Sequence, residues 1–267
     1  MSWFCSVCET SFSRKDSMQR HVMSKHLNAG ITPFQTVPTV FSQKCQRFRL
    51  EHPFTFIIAG MTGSGKTAWV RSLLQQASEA IYLSPERIIW CYLQWQSAYT
   101  EMLVAIPHIQ FIKGIPMALE QDSYFDMNKR NLIAFDDLMI DTSKDKQLIV
   151  NLFTRGSHHR NLSVIYIVQN LFHQGKRSRS ISLNNHYLVL FKNPRDKLQI
   201  LILAKQMYPR QTDFFLKKYE EAVNGLFGYL LIDLKTTTQD NRRLRTNVLP
   251  SCEVANRAQI NGYIIRP

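Results

Sequence analysis

Hydrophobic positions along this chain follow two alternating patterns. Compact runs of β-branched, aliphatic and aromatic residues are separated by longer stretches in which apolar residues recur every three or four positions. The first pattern predicts strands at 54–59, 81–83 with 87–93, 108–112, 131–137, 162–168, 186–192 and 229–234. The second predicts helices at 68–76, 97–103, 146–153, 195–207 and 212–223. Runs such as Leu162-Ser163-Val164-Ile165-Tyr166-Ile167-Val168 are apolar almost without a break, as in strands covered on both faces. An α/β fold follows, with a mostly parallel sheet flanked by helices. Residues 28–50 interrupt the alternation with Gly30, Pro33 and Pro38 and read as a linker. Residues 51–235 read as the main domain, and 236–267, with Arg242, Arg243 and Arg245, as a basic C-terminal extension without assignable pattern.

Between the first strand and the first helix stands Gly60-Met61-Thr62-Gly63-Ser64-Gly65-Lys66-Thr67, which satisfies every fixed position of GxxxxGK[ST]. Strand, glycine-rich loop and helix in that order are the setting in which the pattern binds phosphates. The loop's N–H groups and the first helical turn point inward at a polyphosphate. Lys66 is expected to reach the β- and γ-phosphates of ATP, and the Thr67 hydroxyl to bind Mg²⁺.

Some seventy residues later, Leu132, Ile133, Ala134 and Phe135 run into Asp136 and Asp137. A buried parallel strand with acids at its carboxyl end places them where open α/β sheets bind ligands. Asp136 is then expected to hold the Mg²⁺ shell, and Asp137 to orient or deprotonate the attacking water. The next strand ends in Gln169-Asn170, so Gln169 is a candidate sensor of the γ-phosphate or the water. Arg155 and Arg160 are candidate arginine fingers for a neighbouring subunit's nucleotide. Each reads equally well as a solvated charge or a DNA phosphate contact. His158 and His159 read as loop residues, and the aromatics Trp90, Tyr92, Trp95 and Tyr99 as core.

The first 27 residues carry a different chemistry. Cys5 and Cys8 are two residues apart, a twelve-residue gap follows, and His21 and His26 are four apart. Trp3, Phe12 and Met18 supply the small apolar core of a ββα zinc finger, and the segment resembles the two-Cys/two-His zinc-finger family. Four protein ligands close the coordination of Zn²⁺, so the site is expected to be structural. Counting back from His21, the family's base-reading positions include Arg14 and Arg20, whose guanidinium groups suit guanine edges. A metal-stapled docking module that contacts protein fits the segment as well as DNA contact does.

Composition narrows the partners. Lys and Arg number 33 against 20 Asp and Glu, a formal net charge of +13, which favours a polyanion, with double-stranded DNA the first candidate. The compact basic loop Gly175-Lys176-Arg177-Ser178-Arg179-Ser180 is expected to face it through Lys176, Arg177 and Arg179. No apolar run approaches the ~20 residues of a membrane span, and no leader is visible, so a membrane role is not expected. Five cysteines without a disulfide framework point to a reducing compartment, cytoplasm or nucleus of a host cell, with virion association open.

Taken together, GMTGSGKT, the IAFDD strand and IVQN after an Arg-containing turn resemble the FtsK-HerA superfamily of P-loop motors. Within it, the genome-packaging ATPases of double-jelly-roll DNA viruses, including poxvirus-like and Polinton or adintovirus-like elements, are the nearest in appearance. The resemblance spans roughly residues 50–235. It implies a RecA/ASCE-like fold, nucleotide and Mg²⁺ binding through Lys66 and Thr67, Asp136 and Asp137 as the acid pair, Gln169 as sensor, and an arginine finger within 155–160. It also implies a pentameric or hexameric ring around duplex DNA. The chain departs from these motors in having Asp137 where they commonly have Glu, and in carrying a finger that could tether the motor to the genome or to a capsid protein. An ATP-driven DNA translocase that packages a viral genome is the leading expectation. A zinc-finger DNA-binding regulator with a nucleotide-switch domain is the alternative.

Overall fold

The computed structural model describes residues 3–4, 11–12, 17, 48–138, 143–156, 160–171, 181 and 183–249. The chain divides into two compact units, Met1–Gln46 and Arg47–Pro267. In the first, β1 (Trp3–Phe4) and β2 (Ser11–Phe12) pair antiparallel, with Trp3 opposite Phe12. The expected zinc ligands Cys5, Cys8, His21 and His26, the expected base readers Arg14 and Arg20, and the basic loop with Lys176, Arg177 and Arg179 lie outside the described residues.

The second unit is built on one sheet. After β3 (Leu50–Glu51) come β4 (Thr55–Ala59), α1 (Lys66–Gln75), α2 (Ala77–Ala80), β5 (Ile81–Tyr82) and β6 (Arg87–Tyr92). Then follow α3 (Ser97–Ala105), β7 (Ile109–Lys113), β8 (Asn131–Asp136), α4 (Ser143–Asn151) and β9 (Leu162–Val168). The unit is completed by β10 (Tyr187–Phe191), α5 (Lys197–Met207), α6 (Thr212–Val223), β11 (Tyr229–Asp233) and β12 (Leu244–Arg245).

The strands lie in the order β12-β11-β10-β4-β9-β8-β6-β7. From β10 to β7 every pairing is parallel, and β11 and β12 add antiparallel to the β10 side. One strand, β9, is inserted between the phosphate-loop strand β4 and the acid-bearing strand β8, as in RecA-like ASCE P-loop NTPases. The expected α/β class is therefore observed.

Strand periodicity divides the core. Phe56 and Ile58 of β4 join Trp69, Val70, Leu73 and Leu74 of α1 and Tyr99 and Met102 of α3 on one face. Ile57 and Ala59 face the other side, with Ile149 of α4, Leu203 of α5 and Phe215 of α6. Layers on both faces explain why the central strands read as unbroken apolar runs. Cys91 is buried in the second layer, where burial pushes its thiol up to about 12, so it is a core residue rather than a nucleophile.

Two features extend the domain beyond the limits expected from sequence. Arg49 and Leu50, inside the expected linker, already belong to the fold: Leu50 is buried and Arg49 donates to the Ile81 carbonyl at 3.1 Å. At the other end the sheet continues past residue 235 through β12, and the Val248 N–H donates to the Tyr229 hydroxyl at 2.9 Å. Two-residue strands are too short to show a period of two, so neither was visible as an element.

At the amino edge of the sheet, His52 is buried with both ring nitrogens bonded, Nδ1 to Ser163 Oγ at 2.6 Å and Nε2 to Asn161 Oδ1 at 2.9 Å. Asn161 Oδ1 can only accept, so Nε2 carries a proton, and in the neutral ring Nδ1 accepts from the Ser163 hydroxyl, whose oxygen also accepts from the Phe54 N–H. Burial lowers the His52 pKa, only partly opposed by Asn161. With its folded value below the unfolded one, the unfolded chain binds more protons, so stability is highest above the unfolded value and falls as pH drops through the interval beneath it. Melting temperature is thus expected to fall between pH 7.5 and 5.5, and His52→Gln to flatten that slope. An unchanged slope in the variant rules this account out.

Candidate nucleotide site

The phosphate loop, the acid pair and Gln169 emerge on one edge of the sheet, because β4, β8 and β9 are parallel. Their register aligns Ala59 with Val168 and Asp136 with Ile167, so the loop after β4, the acids ending β8 and Gln169 after β9 lie side by side. The Gly60 N–H donates to the Val168 carbonyl at 3.3 Å, joining the loop to the strand that carries the amide.

Glycine is required at two points of the loop. A Cβ on Gly60 would stand 2.6 Å from Phe191 Cβ, so a side chain there would drive the loop off β10. Gly65 is the N-cap of α1 with φ 100°, a left-handed conformation that other residues rarely adopt. That turn aims the unpaired N–H groups of the α1 N-terminus into the loop. The Lys66 ammonium, 8% exposed, donates to the Gly60 carbonyl at 2.6 Å and to the Met61 carbonyl at 3.0 Å. Burial lowers its pKa, opposed by the charges of Asp137 and Asp136.

Thr67 Oγ1 lies 3.2 Å and 3.4 Å from the two carboxylate oxygens of Asp136, 69 positions away in sequence. Asp136 is 3% exposed and also accepts from the Tyr99 hydroxyl at 2.8 Å. Burial pushes its carboxyl above the usual range, while the bonds from Tyr99 and Thr67 draw it back. A hydroxyl and a carboxylate at this separation are hard oxygen donors of the kind that suit Mg²⁺, which keeps several of its waters and takes few protein ligands. Thr67 and Asp136 therefore fit that ion.

Asp137 is exposed, and its φ of 48° is left-handed, which is uncommon for a residue with a side chain. Gln169 Nε2 donates to both its oxygens, at 3.1 and 2.9 Å. The structure thus couples the expected water-activating acid directly to the expected sensor. The Tyr166 hydroxyl is raised to about 12 by burial and by the Asp137 charge.

The two arginines stand elsewhere. Arg160 precedes the seven-residue β9 while Gln169 follows it, so the two are about 20 Å or more apart at opposite edges of the sheet. Arg160 Nη1 donates to the Leu119 carbonyl at 3.0 Å and Nη2 to the Glu120 carbonyl at 3.4 Å. Arg155 falls in a π-helical turn, Leu152–Gly156, and its side chain lies outside the described residues.

Sequence reasoning missed two residues here. Tyr99 is core, as expected from the aromatic cluster, yet its hydroxyl emerges at Asp136. Phe227, half exposed at φ 56°, packs against the loop so closely that a Cβ on Gly65 would lie 2.9 Å from its Cδ1. Neither sits in a motif, and only their juxtaposition in the fold reveals them. Among the described residues no cluster of three or more His, Cys, Asp or Glu suits a metal ion, and no helix is long and apolar enough to cross a membrane.

Residues 42–208 match the family model described as Poxvirus A32 protein. The chain belongs to this family. Its match covers the phosphate loop, the acid pair and Gln169, and together with the fold these residues make the chain a P-loop NTPase. No curated protein matches it. Among solved structures it is similar to the genome packaging NTPase B204 from Sulfolobus turreted icosahedral virus 2 in complex with AMPPCP, at 10% identity and TM-score 0.45, over 69% of this chain and 94% of that one. It is also similar to the cytoplasmic domain of the type VII secretion ATPase EccC of Thermomonospora curvata, at 11% identity and TM-score 0.46, over 72% of this chain and 25% of that one. Likeness at this level leaves the functional reading to family membership and to the residues themselves.

Proposed function

We propose that this protein is an ATP-driven motor that moves double-stranded DNA, serving as a viral genome-packaging ATPase. The observation that carries the hydrolytic part is the Asp137–Gln169 pair beside a loop whose Thr67 hydroxyl is already in reach of Asp136. Such a pair orients a water at the γ-phosphate and accepts its proton. ATP and Mg²⁺ are the cofactors, held by Gly60–Thr67 and Asp136.

The DNA part is supported by family membership and by the net charge of +13. In this reading the chains form a closed ring, pentameric or hexameric, with Lys176, Arg177 and Arg179 facing the duplex. Arg155 or Arg160 completes the next subunit's site. Arg160 already donates to two carbonyls of its own chain, which favours Arg155 for that role. Cys5, Cys8, His21 and His26 hold a structural Zn²⁺ in a finger. The antiparallel hairpin of β1 and β2, which brackets both cysteines in sequence, supports it. Through Arg14 and Arg20 the finger contacts DNA, or it docks the motor on a capsid protein, inside the host cell.

The test is ATP turnover with and without linear duplex DNA across a salt series. Severalfold stimulation that weakens steadily as salt rises is expected, since phosphate contacts are salt-dependent. Turnover indifferent to DNA at every salt concentration rejects the motor. Doping Arg155→Ala subunits into wild type should depress the activity more than simple dilution does, because each ring contains a defective junction.

A further inference from the structure

Three elements meet at Asp136. The carboxylate ends β8, Thr67 belongs to α1, and Tyr99 belongs to α3. Both helices lie on the same face of the sheet, and an Arg71–Glu101 ion pair of 2.5 Å joins them. The Tyr99 ring is 1% exposed and wedged among Phe111, Tyr92, Trp95 and Trp90, with ring centroids at 5.2, 5.6, 5.6 and 5.8 Å. Packed this way, the ring leaves its hydroxyl one position, 2.8 Å from Asp136 Oδ2.

An aspartate's terminal torsion is broad and roughly twofold, so an unrestrained carboxylate offers either oxygen to a ligand. A rigid donor on one oxygen removes that freedom. Thr67 stands near both oxygens, at 3.2 and 3.4 Å, and cannot make the choice. We propose that Tyr99 is a positioning residue of the metal site: by holding Asp136 Oδ2, it leaves Oδ1 as the oxygen presented to the hydrated Mg²⁺ of the nucleotide. This rests on the reading of the site as one for Mg-ATP. The phosphates themselves depend on loop N–H groups and on Lys66, for which no bond to Tyr99 is found. Metal dependence and nucleotide affinity are therefore separable.

Tyr99→Phe keeps the ring and deletes only the donor. Binding of a fluorescent ATP analogue is measured in EDTA and across a Mg²⁺ titration. The half-saturating Mg²⁺ concentration is expected to rise about tenfold, in the range seen when residues that orient a metal ligand are altered. Affinity in EDTA stays at the wild-type value, and kcat at saturating Mg²⁺ stays within about twofold. Phe111→Leu, which loosens the cluster but keeps the hydroxyl, should raise the Mg²⁺ requirement by clearly less than Tyr99→Phe does. An unshifted requirement in Tyr99→Phe overturns the proposal, and so does an equal shift in Phe111→Leu, which would make Tyr99 a packing residue only. If wild-type binding itself ignores Mg²⁺, the Mg-ATP reading of the site falls together with the proposal. A normal wild-type response with an unshifted variant overturns the role of Tyr99 alone.

Discussion

Replacing Lys66 with alanine is expected to slow ATP turnover by about 10²–10³-fold, the loss typical when a preorganised donor to transition-state charge is removed. The free protein should nonetheless melt no lower than wild type. Burial holds the Lys66 pKa below that of a free lysine even with Asp137 and Asp136 nearby, so the fold maintains this charge at a net cost. Two loop carbonyls, Gly60 and Met61, share the ammonium, and the Met61 carbonyl also accepts from the Ser64 N–H at 3.2 Å. Removing the lysine therefore relieves an unfavourable burial while leaving the loop's own turn in place. What the variant loses is ligand-linked stability: Mg-ATP should raise the melting temperature of wild type and not of Lys66→Ala, since stabilisation by a ligand tracks its affinity for the native state. A variant that melts well below wild type without nucleotide would show instead that Lys66 is a structural strut of the loop.

That contrast between a legible motif and an illegible consequence recurs through the molecule. Gly60, Gly65, Lys66 and Thr67 stand at fixed spacing because one short loop must supply them all, so the nucleotide site could be read from eight consecutive residues. Asp136, Asp137 and Gln169 were readable for a related reason. Each follows a run apolar on both faces, and the end of such a strand is where a parallel sheet exposes polar groups. What could not be read is which strands are neighbours. The insertion of β9 between β4 and β8, which brings Gln169 within 3.1 Å of Asp137, is a pairing of segments distant in sequence, and periodicity carries no information about it. Tyr99 was hidden for a different reason. An aromatic in an apolar cluster is correctly assigned to the core, but a tyrosine has a polar end, and where that end emerges is set by how α3 packs over β8. The extension of the sheet by β12 escaped notice because Leu244 alone, between Arg243 and Arg245, makes no pattern.

Asp137→Asn is expected to bind Mg-ATP as wild type does and to hydrolyse it about 10²–10⁴-fold more slowly, the usual contribution of a positioned general base. The substitution suits the site. Asp137 sits at φ 48°, and asparagine is one of the few residues that enter the left-handed region readily, so the backbone turn should survive. The asparagine oxygen can still accept one of the two bonds that Gln169 donates, at 3.1 and 2.9 Å in the native chain, so the sensor should stay roughly in place. Only the capacity to take a proton is removed. Gln169→Ala makes the complementary change: the carboxylate keeps its charge but loses its partner, and a smaller fall in kcat is expected because a mobile base still acts part of the time. Single-turnover kinetics with pre-bound ATP would compare the two directly. Should Asp137→Asn retain a wild-type hydrolysis rate, Asp137 is not the base. Asp136 could not take over without cost, because its Oδ2 already accepts from Tyr99. A larger loss in Asp137→Asn than in Gln169→Ala is the ordering expected of a base at Asp137 that Gln169 orients.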